Sequence, residues 1–291
     1  MGGHAMPVAL ADYIGMYALS ADLKPSSVEQ LRYAVLGLDR WAAGLPDGRA
    51  VRLNDLSDDL LNRWLTYLLT SGMARATIKN RRGAIVTLWR AASLAGLVAT
   101  WPKRVKSIRA PETIPQAWSR IQVEAILAAV AGVHGDFPSG VPRRGLLRGW
   151  FLAGWSTGMR PCDLLALRRR DVTADGSIAI LQQKTGWPLL CRLTPEAMAA
   201  VEATFPPARE LLFPINIEIL QYWIGKLCNA SGLPGSPKWL RRSGATAVED
   251  QQPGGAQQYL GQKTPGLAWK HYIDPRLLKN KQHRPPPPLT G

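Results

Sequence analysis

Apolar residues recur along this chain at helical spacing far more often than they alternate. Leu31, Val35, Leu38 and Trp41 fall on one face of a helix, and Ser26 with Glu29, just after Pro25, gives a capping-box pattern for its start. Leu60, Leu61, Trp64, Leu65 and Leu68 form a second apolar stripe. Ile78, Ile85, Leu88, Trp89 and Ala92 form a third, less regular one, and together the stripes predict a small helical bundle over residues 7–98. Helical periodicity is then lost. Pro102, Pro111 and Pro115 stand among Lys103, Arg104, Lys106 and Arg109, which predicts a basic, extended linker over 99–117.

Periodicity resumes near Trp118. Ser119 with Gln122 is a second capping-box pattern, opening a helix with Val123, Ile126, Leu127 and Val130 on one side. Leu147, Trp150, Phe151 and Trp155 predict a buried helix that runs into Ser156, Thr157 and Gly158, where glycine permits a tight turn, and helix resumes over 163–167. Two segments read as strands, 178–181 and 189–193. They flank 182–188 and set Lys184 at or near the turn of a hairpin. Thr194, Pro195 and Glu196 open a further helix, Leu220, Trp223, Ile224 and Leu227 mark another, and a Gly/Pro-rich loop precedes the segment 238–248. The expected fold is mainly α with a small β-sheet: a helical first domain and a mixed α/β second domain over 118–280. A Pro-rich tail follows over 281–291, and Pro285 to Pro288 cannot be helical.

Composition adds a partner to this outline. A chain of 291 residues with 46% hydrophobic content can bury two cores. Lys and Arg outnumber Asp and Glu by 36 to 21, a formal net charge of +15, which favours a polyanion, with nucleic acid first among them. On the third helix Lys79, Arg81, Arg82 and Arg90 interleave with the apolar positions, as suits a helix packed on one side and facing phosphates on the other, although a solvated face gives the same pattern. Lys103, Arg104 and Lys106 would follow a phosphate backbone if the two domains closed around a duplex; a plain flexible linker is the alternative. Apolar runs are short and interrupted, so neither a membrane span nor a signal peptide is expected, and the chain reads as cytoplasmic. Cys162, Cys191 and Cys228 are odd in number and far apart, unlike a zinc site or a disulfide scaffold, and fit a reducing compartment. No metal-ligand cluster and no phosphate-binding Gly-x-x-x-x-Gly-Lys motif is present.

The chemistry-bearing residues come as an ordered set. The run from Trp155 to Leu167, with Thr157, Gly158, Arg160, Asp163 and Leu164, resembles the first arginine box of the tyrosine recombinase (phage integrase) family. Lys184 lies on a hairpin, as does that family's catalytic lysine. Lys238, Arg241, Arg242, Ser243, Gly244 and Thr246 resemble its second arginine box, Leu260, Gly261 and Gln262 resemble a Leu-Gly-His segment, and Tyr272, with Asp274 and Pro275 behind it, stands where the nucleophile is expected. Each residue alone is ordinary; their order is what points to one chemistry. Attack by a phenol on a phosphodiester builds negative charge on the non-bridging oxygens, and planar guanidiniums stabilise it through paired hydrogen bonds.

The resemblance thus implies Tyr272 as nucleophile, Arg160 and Arg241 as the phosphate clamp, Lys184 as proton donor to the departing 5′ oxygen, and Lys238, sharing a helix face with Arg241, either as an aid to proton removal from Tyr272 or as added charge. Asp163 would orient the first box. Lys79, Arg81, Arg82, Lys103, Arg104, Lys106 and Arg242 would contact double-stranded DNA. No metal or other cofactor is implied, because the 3′-phosphotyrosyl link conserves the bond energy for religation. Also implied are a two-domain DNA clamp, a helical core-binding domain, a homotetramer on two DNA sites exchanging strands through a Holliday junction, accessory directionality proteins, and a bacterial or mobile-element origin. The tail would dock on an adjacent protomer or stay disordered. Two features depart from the pattern. Gln262 stands where His or Trp is usual, so it can donate to phosphate but cannot carry a proton at neutral pH. Tyr272 lies one position farther from it than the commonest spacing, with His271 adjacent and Tyr259 as the fallback nucleophile. A type IB topoisomerase and a catalytically decayed DNA-binding protein on the same fold are the competing readings.

Overall fold

The structure of the chain, a computed structural model, describes residues 8–204 and 209–278. It divides into two compact units, Met1–Glu112 and Thr113–Gly291. The architecture of the described residues is mainly helical with one small antiparallel sheet. No helix among the described residues is long and apolar enough to cross a membrane.

Among the described residues of the first unit four α-helices, α1 (Leu10–Ser20), α2 (Pro25–Ala42), α3 (Asp58–Thr70) and α4 (Arg75–Leu94), enclose a core that includes Leu38, Leu61, Trp64, Ile85 and Trp89. The apolar stripes read from the sequence are the faces that make this core. The expected capping box at Ser26 and Glu29 does not form. Pro25 occupies the first helical position, where its fixed φ and missing N–H fit, so Lys24 becomes the extended N-cap and Ser26 falls inside the first turn.

The basic, extended stretch that begins at residue 99 is tied to this unit as far as Ile108, unlike the plain flexible linker that was its alternative. The Asp58 carboxylate, at the start of α3, accepts from the backbone N–H groups of Lys103 (3.1 Å) and Arg104 (2.9 Å). Asn62 accepts from the Lys106 N–H and donates to the Arg104 carbonyl. Arg82 donates to the carbonyls of Val105 and Lys106, and Val98 and Ile108 are buried in the core. Hydrogen bonds scattered along two helices hold an extended segment whose own sequence carries no periodicity.

The second unit comprises α5 (Arg120–Ala129), α6 (Arg143–Thr157), α7 (Pro161–Leu165), β1 (Ser177–Leu181), β2 (Pro188–Arg192), α8 (Pro195–Thr204), α9 (Ile217–Ala230), α10 (Pro237–Gln251), α11 (Gly255–Leu260) and α12 (Pro265–His271). Here the Ser119–Gln122 capping box forms as expected. α6 runs through the core, packed against α8 and α10, with Trp150 and Phe151 almost fully buried. Strands β1 and β2 pair antiparallel from Ser177 opposite Arg192 to Leu181 opposite Pro188, turning Ile178 and Leu189 inward. A small separate cluster of Ala245, Ala256, Leu260, Ala268 and Ile273 knits α10, α11 and α12 together. The Pro-rich tail at 281–291 lies outside the described residues.

Candidate active site

The site begins where α6 ends. Gly158 takes a left-handed conformation (φ 60°) that closes the helix, and Arg160 follows in extended backbone as the N-cap of α7, with Pro161 at its first position. The carbonyl that Gly158 leaves at the helix end accepts a hydrogen bond from Arg241 Nη1, and the Leu260 carbonyl at the end of α11 accepts from Arg241 Nη2 at 2.9 Å. Two helix C-termini, each the negative end of its backbone dipoles, therefore converge on one buried guanidinium. Arg241 is only 2% exposed, and burial pushes its pKa down, an effect the neighbouring Arg160 reinforces and Tyr272 opposes. Its Nε is buried without a hydrogen-bond partner.

Arg160 is held from two sides. Its Nη1 donates to Gln182 Oε1 at the base of the hairpin, and it lies 3.9 Å from the buried Asp163 carboxylate. Asp163 accepts in turn from the Gln183 N–H at 2.8 Å, so the acid expected to orient the first box also grips the hairpin. Its second oxygen, Oδ2, has no hydrogen-bond partner and faces Arg160 across that 3.9 Å gap.

Tyr272 caps the C-terminus of α12, half-buried, with its ring centroid 4.8 Å from the Arg241 guanidinium carbon. Its segment is pinned to α10: Thr246 Oγ1 accepts from the Asp274 N–H at 3.0 Å, and Ile273 is fully buried. The buried Asp274 carboxylate accepts from the Ala117 N–H and from the backbone and guanidinium of Arg276. Burial raises the Asp274 pKa, yet these hydrogen bonds hold it below the usual carboxylate range. At Tyr272 burial likewise pushes the phenol up, but the charges of Arg241 and then Arg160, with hydrogen bonds to both, outweigh it and bring the group below the ordinary tyrosine value. Two cations gathered on one phenol favour its ionised, nucleophilic form.

Tyr259, the fallback nucleophile, is engaged in packing. Tyr259 donates its hydroxyl to the Trp155 carbonyl at 2.7 Å, and burial pushes its pKa far up. Its ring fills space kept open by Gly158, where an added Cβ would stand 2.5 Å from Tyr259 Cε1. It is a packed aromatic with a satisfied hydroxyl.

The remaining residues sit at the margin. Lys184 is exposed in the turn between β1 and β2, as the alternation predicted, and Lys238 is exposed in the first turn of α10, one turn ahead of Arg241. Gln262 is half-buried just beyond α11; its N–H donates to the Gln257 carbonyl and its own carbonyl accepts from the Gln257 amide. Arg242 donates to the Gln116 carbonyl. In the first unit Lys79, Lys103, Arg104 and Lys106 are exposed, the last three with their backbones tied as described; Arg81 lies against Gly37, and Arg82 is taken up by linker carbonyls. Among the described residues no group of three or more His, Cys, Asp or Glu could hold a metal.

Two residues escaped the sequence reading. Gln182 is 1% exposed and bridges Arg160 to the Gly261 carbonyl. A signal existed for it, because it continues the inward parity of Ile178 and Ile180 and is the polar member of that row. Glu249 is buried and accepts from the N–H groups of Gly254 and Ala256, capping the entry to α11. Nothing in its local sequence marks it.

The class of protein that carries this fold is now definable. A dimer of lambda integrase (residues 75–356) bound to a COC' core site superposes with a TM-score of 0.67 over 97% of this chain and 99% of that one, at 18% identity. XerH site-specific recombinase bound to a palindromic difH substrate gives 0.69 over 92% and 83%, at 17% identity. The Tn1549 transposon integrase (residues 82–397) in complex with circular-intermediate DNA gives 0.62 over 91% and 95%, at 13% identity. The chain thus shares the fold of tyrosine recombinases. No family model matches its sequence, and no curated protein is similar to it in sequence.

Proposed function

We propose that this chain is a site-specific DNA recombinase that cleaves and rejoins strands through Tyr272. The single observation that carries the reading is the convergence of Arg160 and Arg241 on the Tyr272 phenol, which lowers its pKa despite burial. In the first step the Tyr272 oxygen attacks a backbone phosphorus as the 5′ oxygen leaves, giving a 3′-phosphotyrosyl link and a free 5′ hydroxyl. Arg160 and Arg241 hold the non-bridging oxygens, and their pre-set positions spare reorganisation as charge develops. Lys184 on the hairpin turn gives its proton to the leaving 5′ oxygen. Lys238 adds charge at the same phosphate, and Gln262 donates a hydrogen bond without proton transfer. Attack by a 5′ hydroxyl from a second duplex reverses the step and completes the exchange, so neither metal nor nucleotide enters the scheme.

Both units contact duplex DNA in this reading, the first through Lys79, Arg81, Lys103, Arg104 and Lys106, and the second through Arg242. A tetramer on two DNA sites follows from the chemistry of paired exchange, and lambda integrase has been seen as a tetramer on a Holliday junction. The test is capture of DNA from fragmented genomic DNA of the source organism, in chelator, followed by denaturation and sequencing of what stays attached. The captured site is then placed in two plasmids. Exchange between them is the expected result. Relaxation of one supercoiled plasmid without exchange would identify a type IB topoisomerase activity instead, and binding without any adduct would identify a decayed enzyme in which Gln262 is the first suspect.

A further inference from the structure

We propose that Gln182 is a positioning residue that holds Arg160 in line and fastens the Lys184 hairpin to the segment bearing Gln262, so that three functional side chains are placed as one unit. The inference rests on the recombinase reading for its consequence in catalysis, and on geometry for the link itself. Gln182 Oε1 accepts from Arg160 Nη1, while its Nε2 donates to the Gly261 carbonyl at 3.0 Å. The amide orientation follows from the partners: a guanidinium has no acceptor and a carbonyl no donor, so only this arrangement satisfies both.

The backbone of the same residue closes the hairpin. Its N–H donates to the Trp187 carbonyl at 2.9 Å, and its carbonyl accepts from Gly186 (2.8 Å) and Thr185 (3.2 Å). Lys184 therefore hangs from a turn whose base is nailed to Arg160 on one side and to Gly261 on the other. Gly261 is shaped for this approach. It lies in the left-handed region (φ 56°), and a Cβ there would stand 2.8 Å from Gln182 Nε2 and 2.8 Å from Leu189 Cδ1. A clasp between Lys263 and the Trp187 ring, with the ammonium 4.2 Å from the centroid, joins the same two segments farther out.

No other residue type of this size does both jobs. Glutamate keeps the acceptor for Arg160 but turns a lone pair on the Gly261 carbonyl, methionine keeps the shape and loses both bonds, and asparagine is one methylene too short to reach both partners.

The experiment compares full-length wild-type protein with Gln182→Met, and with Gln182→Asn should the first not fold. The titration of Tyr272 is followed in the free protein by NMR of ring-labelled tyrosine, with Tyr272→Phe assigning the signal. Single-turnover cleavage is then measured at saturating concentrations of the DNA fragment that wild-type protein captures. Expected are a Tyr272 midpoint moved upward, because a released Arg160 no longer stays beside the phenol, and cleavage slowed about tenfold or more, as misplacement of a clamp commonly costs. Gln182→Glu, which keeps the acceptor for Arg160, should recover part of that rate. A Gln182→Met or Gln182→Asn protein in which Tyr272 titrates as in wild type overturns the proposal, whatever its DNA chemistry. If the titration moves but wild-type protein forms no adduct, the positioning role stands and the recombinase reading is the one that falls.

Discussion

The two guanidiniums and the two lysines of the site are held in opposite ways. Arg241 is buried between two helix ends, and Arg160 is fixed by Gln182 and Asp163. Lys184 and Lys238 stand exposed on a hairpin turn and a first helical turn. The difference follows the work each group has in the proposed reaction. Charge that stabilises a transition state is worth most when its position is set beforehand in a dry site. An amine that must deliver a proton to a departing oxygen gains from a flexible stem that the bound duplex brings into line. Of these four cations, the two that the proposed reaction needs rigid are the ones withdrawn from solvent.

Substitutions on either side of this divide should behave differently. Tyr272→Phe should abolish covalent capture completely while leaving DNA affinity intact, measured by gel shift beside the denaturing gel. Arg241→Lys should slow cleavage by about 10²–10³, the loss typical of a pre-set donor, and should also lower thermal stability, because a shorter, more strongly hydrated cation is left among the Gly158 and Leu260 carbonyls. Lys184→Ala should cost about 10² in cleavage with no change in melting temperature. Its deficit should vanish on a substrate whose 5′ oxygen is replaced by sulfur, since a thiolate leaves without a proton. Persistence of the deficit on that substrate would remove Lys184 from the acid role.

Smaller effects are expected away from the reacting atoms. Asp274→Asn should destabilise the protein by about 1.5–3 kcal/mol at neutral pH in urea melts, the range for hydrogen bonds to a charged group. Since the native pKa of Asp274 lies below its unfolded value, its contribution is full above about pH 4 and is lost as pH falls through the native pKa. The gap between the two proteins should therefore close in acid; a gap independent of pH would show that the charge plays no part. Lys79→Ala and Lys103→Ala should each weaken DNA binding only severalfold, equally on all sequences, and each should reduce the slope of log affinity against log salt by about 1. Arg82→Ala should instead act mainly on stability, because its guanidinium holds the carbonyls of Val105 and Lys106.

What was legible in the sequence divides along similar lines. Stripes such as Leu61, Trp64, Leu65 and Leu68 and the alternation around Lys184 are local patterns that the fold contains as read, and the order of Arg160, Arg241 and Tyr272 is a linear one whose members the structure brings near each other. The contacts that shape the site are not local. Gln182 meets Gly261 across 79 positions and Arg241 meets Gly158 across 83, and no periodicity encodes such pairs. The tie between Asp58 and the 103–104 backbone was hidden for the same reason, so the sequence showed an extended basic segment without the helix that holds it. Where Pro25 displaced the capping box, two local rules competed, and the rigid ring won over a side-chain hydrogen bond.

In the proposed reaction Tyr272 becomes covalently joined to DNA. The most direct measurement is mass spectrometry of the protein after capture, nuclease trimming and proteolysis, with the residual nucleotide localised by fragmentation. A 3′-phosphonucleotide on Tyr272, formed in chelator and absent from Tyr272→Phe, is the predicted result. A modified residue elsewhere, or bound DNA that leaves no covalent mark on Tyr272, would rule out Tyr272 as the nucleophile.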